Sequence, residues 1–227
     1  MTTVRIDRRY RGPSGSANGG VAAGLLAEHV DAPVVEVTLR RPPPLDVDLE
    51  VRDGRLLAGD VLVAQAEPGT VDLDPGPVVS LAAAREAAAR FAGRTDHPFQ
   101  ECFVCGSDRE PPDSLGLRPG RVAPGAVAAP WTPPSSDRLL VWAALDCPGG
   151  WSSDEPGRAM VLGRMALRLD RLPVAGEPHV VTGWVVSVDG RKTTTGSALR
   201  DADGALLALA RSVWLTVDPR QVGPGAG

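Results

Sequence analysis

One order of elements occurs twice along this chain, and that repetition restricts the fold more than any single motif does. Residues 3–10 read as a strand, with Val4 and Ile6 alternating with polar neighbours. A glycine-rich turn follows, then an apolar helix over residues 21–29 with Ala22, Leu25, Leu26 and Ala27 as its apolar face. Residues 34–39 form a β-branched strand, and three short strands over 46–52, 55–57 and 61–66 come next, the first two joined by the hairpin signal Asp53-Gly54. After residue 120 the order restarts. Residues 121–131 read as a strand, 133–137 as a loop ending in a helix cap, and 138–147 as a short apolar helix stopped by Pro148-Gly149-Gly150. Strands follow over 159–169, 179–189, 191–201 and 205–217, with turns at Asp189-Gly190 and at residues 202–204. The two helices align without gaps, Val21-Ala-Ala-Gly-Leu-Leu-Ala27 against Val141-Trp-Ala-Ala-Leu-Asp-Cys147.

Between the two halves, residues 80–91 form an alanine-rich helix with Arg85, Glu86 and Arg90 on its wet side. Residues 94–120 are a long connector, of the kind that links domains or covers something. The expected division is 1–78 for a first domain, 79–120 for a helix plus linker, 121–218 for a second domain and 219–227 for a flexible tail. The 227 residues suffice for that, and 43% hydrophobic with 23% charged content suits a water-soluble protein. A net charge of −4 implies no nucleic-acid partner, no apolar run reaches the length of a membrane span, and the first residues are no signal peptide. Three cysteines, an odd number, argue against a disulfide framework. These features point to a cytoplasmic protein.

The chemistry concentrates in Asn18-Gly19-Gly20. Asn18 can cap the first helix, and the two glycines leave the next backbone amides bare. A helix N-terminus with bare amides attracts negative charge, including charge that develops on a ligand oxygen during a reaction. The bland alternative is an ordinary capped helix packed closely under a strand. A nucleotide loop is disfavoured, because no Gly-Lys-Ser/Thr follows and the next strands read as antiparallel hairpins.

An apolar helix inside a curved antiparallel sheet is the hotdog arrangement. The stretch from Asp189-Gly-Arg-Lys-Thr-Thr-Thr-Gly-Ser-Ala-Leu-Arg-Asp to Trp214 resembles the closing strands of a thioesterase-superfamily hotdog domain. Nearly the whole chain resembles the double-hotdog, acyl-CoA thioesterase-like proteins common in actinobacteria. The resemblance implies an α+β fold of two tandem hotdog domains, each a curved antiparallel sheet round a central helix, paired as an intrachain pseudo-dimer. It also implies a reaction site between the two central helices, one offering amides to a thioester carbonyl and the other a carboxylate.

In this chain the parts divide unevenly. Gly19 and Gly20 are the candidate amides, and Asp146 is the acid within the second helix, expected in its last turn with a pKa raised by burial and by the helix dipole. The second helix has no matching glycines, so one site per chain is expected. Asn18 and Trp142 are candidate substrate contacts. Glu28 is the alternative acid, eight residues after Gly20 as the family spacing would have it, although a solvated helix end is the plainer reading. For Asp146 the plain alternative is a loop residue bonding the Cys147-Pro-Gly-Gly turn. Nothing selects among Thr132, Ser152 and Ser153.

Cys102-Phe-Val-Cys105 with His97 invites a zinc reading, but the partner pair is missing, so no metal is expected and Phe99 and Phe103 would anchor the connector by packing. No cofactor is expected beyond the CoA portion of a substrate. The functional expectation is hydrolysis of an acyl-CoA-type thioester between the two halves, with a non-catalytic acyl-CoA or acyl-lipid binding protein as the alternative. A dehydratase would want a paired histidine and acid, which His29, His97 and His179 do not supply. A homodimer of pseudo-dimers is left open.

Overall fold

The computed structural model describes residues 2–13, 15–153 and 159–218, so the expected flexible tail at 219–227 lies outside the described residues. Among these residues, eleven strands form one antiparallel sheet. In chain order they are β1 (Thr2–Arg5), β2 (Val34–Leu39), β3 (Asp48–Arg52), β4 (Arg55–Ala58), β5 (Val61–Pro68), β6 (Gly120–Ala123), β7 (Ala126–Trp131), β8 (Met160–Leu169), β9 (His179–Asp189), β10 (Lys192–Asp201) and β11 (Leu206–Thr216). The spatial order is β1-β3-β4-β5-β2-β8-β11-β10-β9-β7-β6. Every strand before residue 69 therefore lies on one side of the β2–β8 seam, and every strand after residue 119 on the other. At the seam Val35 pairs with Leu167 and Val37 with Met165, all four buried. On its other face Arg164 bonds Thr38 Oγ1 at 3.0 Å and ion-pairs with Glu36 at 3.2 Å.

Two helices lie side by side within the core, α1 (Gly19–Ala27) and α3 (Arg138–Trp151). Helix α1 is buried almost all round, with only Gly19 and Leu25 half-exposed, rather than along the single face expected. A helix apolar on every side belongs in a core, and Val21 and Leu26 there are each worth about 1.5–3 kcal/mol of burial. Gly20 and Gly24 form its contact face with α3. A Cβ on Gly20 would lie 2.6 Å from the Trp142 carbonyl oxygen, and one on Gly24 would lie 2.8 Å from Trp142 Cβ and 3.0 Å from Leu139 Cδ1. Moving forward along α1 thus moves backward along α3, and the two run antiparallel.

Helix α3 continues through Pro148 to Trp151, past the expected stop at Pro148-Gly149-Gly150. Those residues serve close packing. A Cβ on Gly149 would sit 2.6 Å from Thr195 Oγ1, and Gly183 of β9 leaves room for the Pro148 carbonyl. Ser197 Oγ donates to the Leu145 carbonyl at 2.6 Å, holding the helix against β10. Ser152 ends it, its N–H and hydroxyl both donating to the Gly149 carbonyl.

Two further expectations are corrected. The first strand ends at Arg5, and a 3₁₀ turn capped by the Asp7 carboxylate occupies Arg8–Tyr10. The single strand expected over 121–131 is the hairpin β6–β7, turned at Pro124-Gly125, where Gly125 takes φ +66°. The alanine-rich helix α2 (Leu81–Ala89) packs Ala84 on Ala128 and Val180, the sheet face opposite the one that carries Ala129 and Val181 into the main core.

Candidate active site at the junction of the two buried helices

The turn before α1 is held by backbone bonds from Ala17 N–H to the Pro43 carbonyl and from Asn18 N–H to the Tyr10 carbonyl, both 2.8 Å. This fixes Asn18 as the helix cap, its Oδ1 accepting from Val21 N–H at 3.0 Å. The other end of the same amide, Nδ2, donates to Asp146 Oδ2 at 2.9 Å. Gly20 N–H donates to that same oxygen, also at 2.9 Å. Asn18 and Asp146 are 3% and 2% exposed, so the contact is shielded from water. The structure therefore brings Asn18, Gly20 and Asp146 together across the helix pair, and Asp146 makes no bond to the Cys147-Pro148 turn.

The expected pair of bare amides is split. Gly20 N–H is engaged by Asp146. Gly19 N–H has no hydrogen-bond partner among the described residues, and Gly19 is half-exposed over Leu39 of β2 and Leu162 of β8. Asp146 is raised to about 7, first by burial and further by the neighbouring Cys102, against the lowering effect of the Gly20 and Asn18 hydrogen bonds. The direction agrees with the sequence expectation, but the helix-end argument for it does not hold. Asp146 has five more helical residues after it, and the dipole effect fades within the last turn. Its Oδ1 is buried with no partner among the described residues.

The remaining candidates lie elsewhere. Trp142 is 1% exposed and packs against Gly24 within the helix interface. Glu28 is exposed at the C-cap of α1. Thr132 is exposed, and Ser152 is spent on closing α3.

The connector folds over the site. Phe103 is buried, its N–H donating to the Arg11 carbonyl and its ring stacking edge-on to Tyr10 at 4.9 Å. Phe99 packs half-buried against the same core. The connector delivers Cys102 and Cys105 to Cys147, the residue after Asp146. All three thiols are buried and free, their sulfurs lie within 4.8 Å of one another, and Cys102 and Cys147 are 3.7 Å apart. Asn18 Nδ2 lies 3.8 Å from the sulfurs of Cys102 and Cys147, and Trp151 Nε1–H points at Cys105 Sγ at 3.3 Å. Hydrogen bonds from the other two thiols pull Cys102 well below the usual thiol range, and the same sharing pushes Cys147 up. His97 stands aside. Its Nδ1 accepts from Phe99 N–H at 2.9 Å, which leaves Nε2 protonated toward the Cys105 carbonyl at 3.1 Å. The sequence shows no second Cys or His pair to complete a zinc set, and the third thiol, Cys147, lies 42 residues beyond Cys105.

A buried carboxylate held by two donors beside a free amide is a combination suited to acyl chemistry. The carboxylate can take a proton from water or attack a carbonyl, and the amide can bond a carbonyl oxygen as it gains charge.

No family model and no curated protein sequence matches this chain. Solved structures do. The tesB protein of Mycobacterium avium subspecies paratuberculosis is 12% identical, with a TM-score of 0.62 over 95% of this chain and 92% of that one. A conserved protein with a hot dog fold from Alicyclobacillus acidocaldarius is 10% identical, with a TM-score of 0.62 over 96% and 93%. The chain has the hotdog fold. A Novosphingobium aromaticivorans protein titled as a thioesterase is 14% identical, with a TM-score of 0.62 over 95% of each chain. At these identities the hotdog likeness speaks for architecture alone. Among the described residues, no helix of this hotdog protein is long and apolar enough to cross a membrane.

Proposed function

We propose that the chain is a tandem pair of hotdog halves, residues 1–78 and 121–218 joined by 79–120, that hydrolyses a small acyl thioester of the acyl-CoA type between α1 and α3. The observation that carries this reading is the convergence of Gly20 N–H and Asn18 Nδ2 on one oxygen of Asp146, across 126 and 128 residues of chain. The thioester carbonyl is placed at Gly19 N–H. Asp146 takes a proton from a water whose oxygen adds to the carbonyl carbon. The oxyanion then collapses, the carbon–sulfur bond breaks, and the leaving thiolate takes the proton from Asp146. As Asp146 becomes neutral in the first step, its hold on Gly20 N–H weakens, and that fixed amide can share its hydrogen with the new oxyanion. The donor pair is then Gly19 and Gly20, used in sequence rather than both standing ready. Each such donor is worth about 10²–10³ in rate, and a positioned base about 10²–10⁴.

One observation favours a second reading, a protein that binds acyl thioesters without cleaving them. Gly20 N–H is already bonded and Asp146 is almost fully enclosed. A panel of acyl-CoA esters of rising chain length separates the two, read as release of free CoA and as binding heat. Turnover by the wild type and a fall of about 10²-fold or more in Asp146→Asn, with its melting temperature retained, supports hydrolysis. Unchanged turnover in Asp146→Asn removes the acid from the mechanism, and binding without CoA release selects the second reading.

A further inference from the structure

We propose that Cys102, Cys105 and Cys147 form a metal site for one zinc ion, which ties the connector to α3. Sulfur spacing is the first argument. Zinc–thiolate bonds of about 2.3 Å at tetrahedral angles put neighbouring sulfurs about 3.8 Å apart. Cys102 and Cys147 stand 3.7 Å apart, and all three sulfurs fall within 4.8 Å of one another. The donor set is the second. Three thiol sulfurs from a Cys-x-x-Cys pair and a helix select a soft or borderline ion and reject magnesium or calcium.

The third argument is the surroundings. Asn18 Nδ2 and the Trp151 indole N–H are directed at the sulfurs. Donors of this kind orient thiolates and offset their charge when a metal is bound. The Gly106 N–H bonded back to the Cys102 carbonyl at 2.9 Å curls the pair so that both sulfurs reach Cys147. A connector that needed only apolar packing has Phe103, Val104 and Leu117 for that purpose, all buried.

Binding replaces three sulfur–hydrogen bonds with three sulfur–zinc bonds, releases three protons to solvent and changes no oxidation state. With both ring nitrogens engaged, His97 does not fill the fourth position. The ion's place is structural: it pins the connector over the Asn18–Asp146 contact, one residue along the helix from the acid.

The test uses the full chain, purified under reducing conditions with zinc and then desalted. One zinc per chain by elemental analysis is expected, and native mass spectrometry should show one zinc less the displaced protons. Exchange to cobalt(II) should give the intense thiolate-to-cobalt charge-transfer band and the visible bands of a tetrahedral sulfur site. Cys102→Ser, Cys105→Ser and Cys147→Ser should each lose the metal. If a serine variant does not fold, the wild-type cobalt spectrum decides alone, because its charge-transfer intensity scales with the number of sulfurs. Zinc content well below one per chain, a cobalt spectrum without sulfur bands, or a disulfide mass on the metal-treated protein would each overturn the proposal.

Discussion

Helices α1 and α3 run antiparallel, so each end of the pair sets the start of one helix beside a later part of the other, and the two ends are built differently. At one end Asn18 caps α1 through Val21 N–H, Gly20 N–H reaches Asp146, and Gly19 N–H is left over. At the other, Asp137 caps α3 by taking Leu139 N–H at 2.8 Å, and the acid nearest in sequence terms, Glu28, is exposed at the end of α1. Each end thus has a capped helix start, and among the described residues only the first holds a carboxylate from the other helix against it. What separates them is whether the helix start comes close enough to hold a carboxylate out of water. Gly20 permits the approach at the first end. At the second, Arg138 and Leu139 occupy the first two helical positions, where α1 has Gly19 and Gly20. A buried carboxylate without donors is costly, so two hydrogen bonds are the condition for Asp146 to be there.

The sharpest way to break this contrast is Gly20→Ala. The added Cβ meets the Trp142 carbonyl oxygen and Asp146 Cβ, both at 2.6 Å, and backbone cannot swing aside as a side-chain tip can. The helices must part, at a cost of about 1–3 kcal/mol, and the bond to Asp146 lengthens with them. Urea unfolding should show the loss, and turnover should fall in the same variant. Gly19→Ala strains the same end from the sheet side, because its Cβ meets Leu162 Cβ at 2.8 Å, and it leaves the α1–α3 contact at Gly20 in place. Wild-type stability in Gly20→Ala would show that α1 and α3 are not in this close contact.

Much of this end was legible in the sequence, and the limits are physical. Asn18-Gly19-Gly20 and Asp146 declare themselves by type, one set as a capped start with bare amides and the other as the acid in an apolar helix. Turns whose geometry is local were legible as well: Asp53-Gly54 adopts φ +50° and +69°, as a two-residue hairpin requires. The allocation of Gly20 N–H to the acid was not legible, since it depends on a distance between groups 126 residues apart. Pro148-Gly149-Gly150 misled for a related reason. Locally it is a stop signal, but Gly149 faces Thr195 and the Pro148 carbonyl faces Gly183, so packing against the sheet keeps the helix going. The thiol cluster was hidden because Cys147 counted as a neighbour of the acid, and only the path of the connector makes it a partner of Cys102.

Asp137→Ala acts on the other end and should have a smaller effect. It removes the cap of α3 and lowers stability by about 1 kcal/mol. Turnover at saturating substrate should stay at the wild-type level, because that helix start meets no buried acid. Calorimetry and a CoA-release assay on the same preparation check both halves of the statement. A fall in turnover without further loss of stability would mean that the second end also takes part, and the contrast would fail.

Glu28→Gln should do least. The side chain is exposed at the C-cap of α1, and a change at such a surface site moves stability by no more than about 0.5 kcal/mol. Eight residues of helix put Glu28 about 12 Å along the axis from Gly20. It cannot meet the Gly20 amide of its own chain while α1 stays helical. Turnover in Glu28→Gln should therefore match the wild type across the acyl-CoA panel. If it collapsed while Asp146→Asn stayed active, the acid would have to come from a second chain, with Glu28 of one copy reaching the helix start of another. The same pair of variants measured across protein concentration would show that, since a site shared between chains loses activity on dilution and a site built from α1 and α3 of one chain does not.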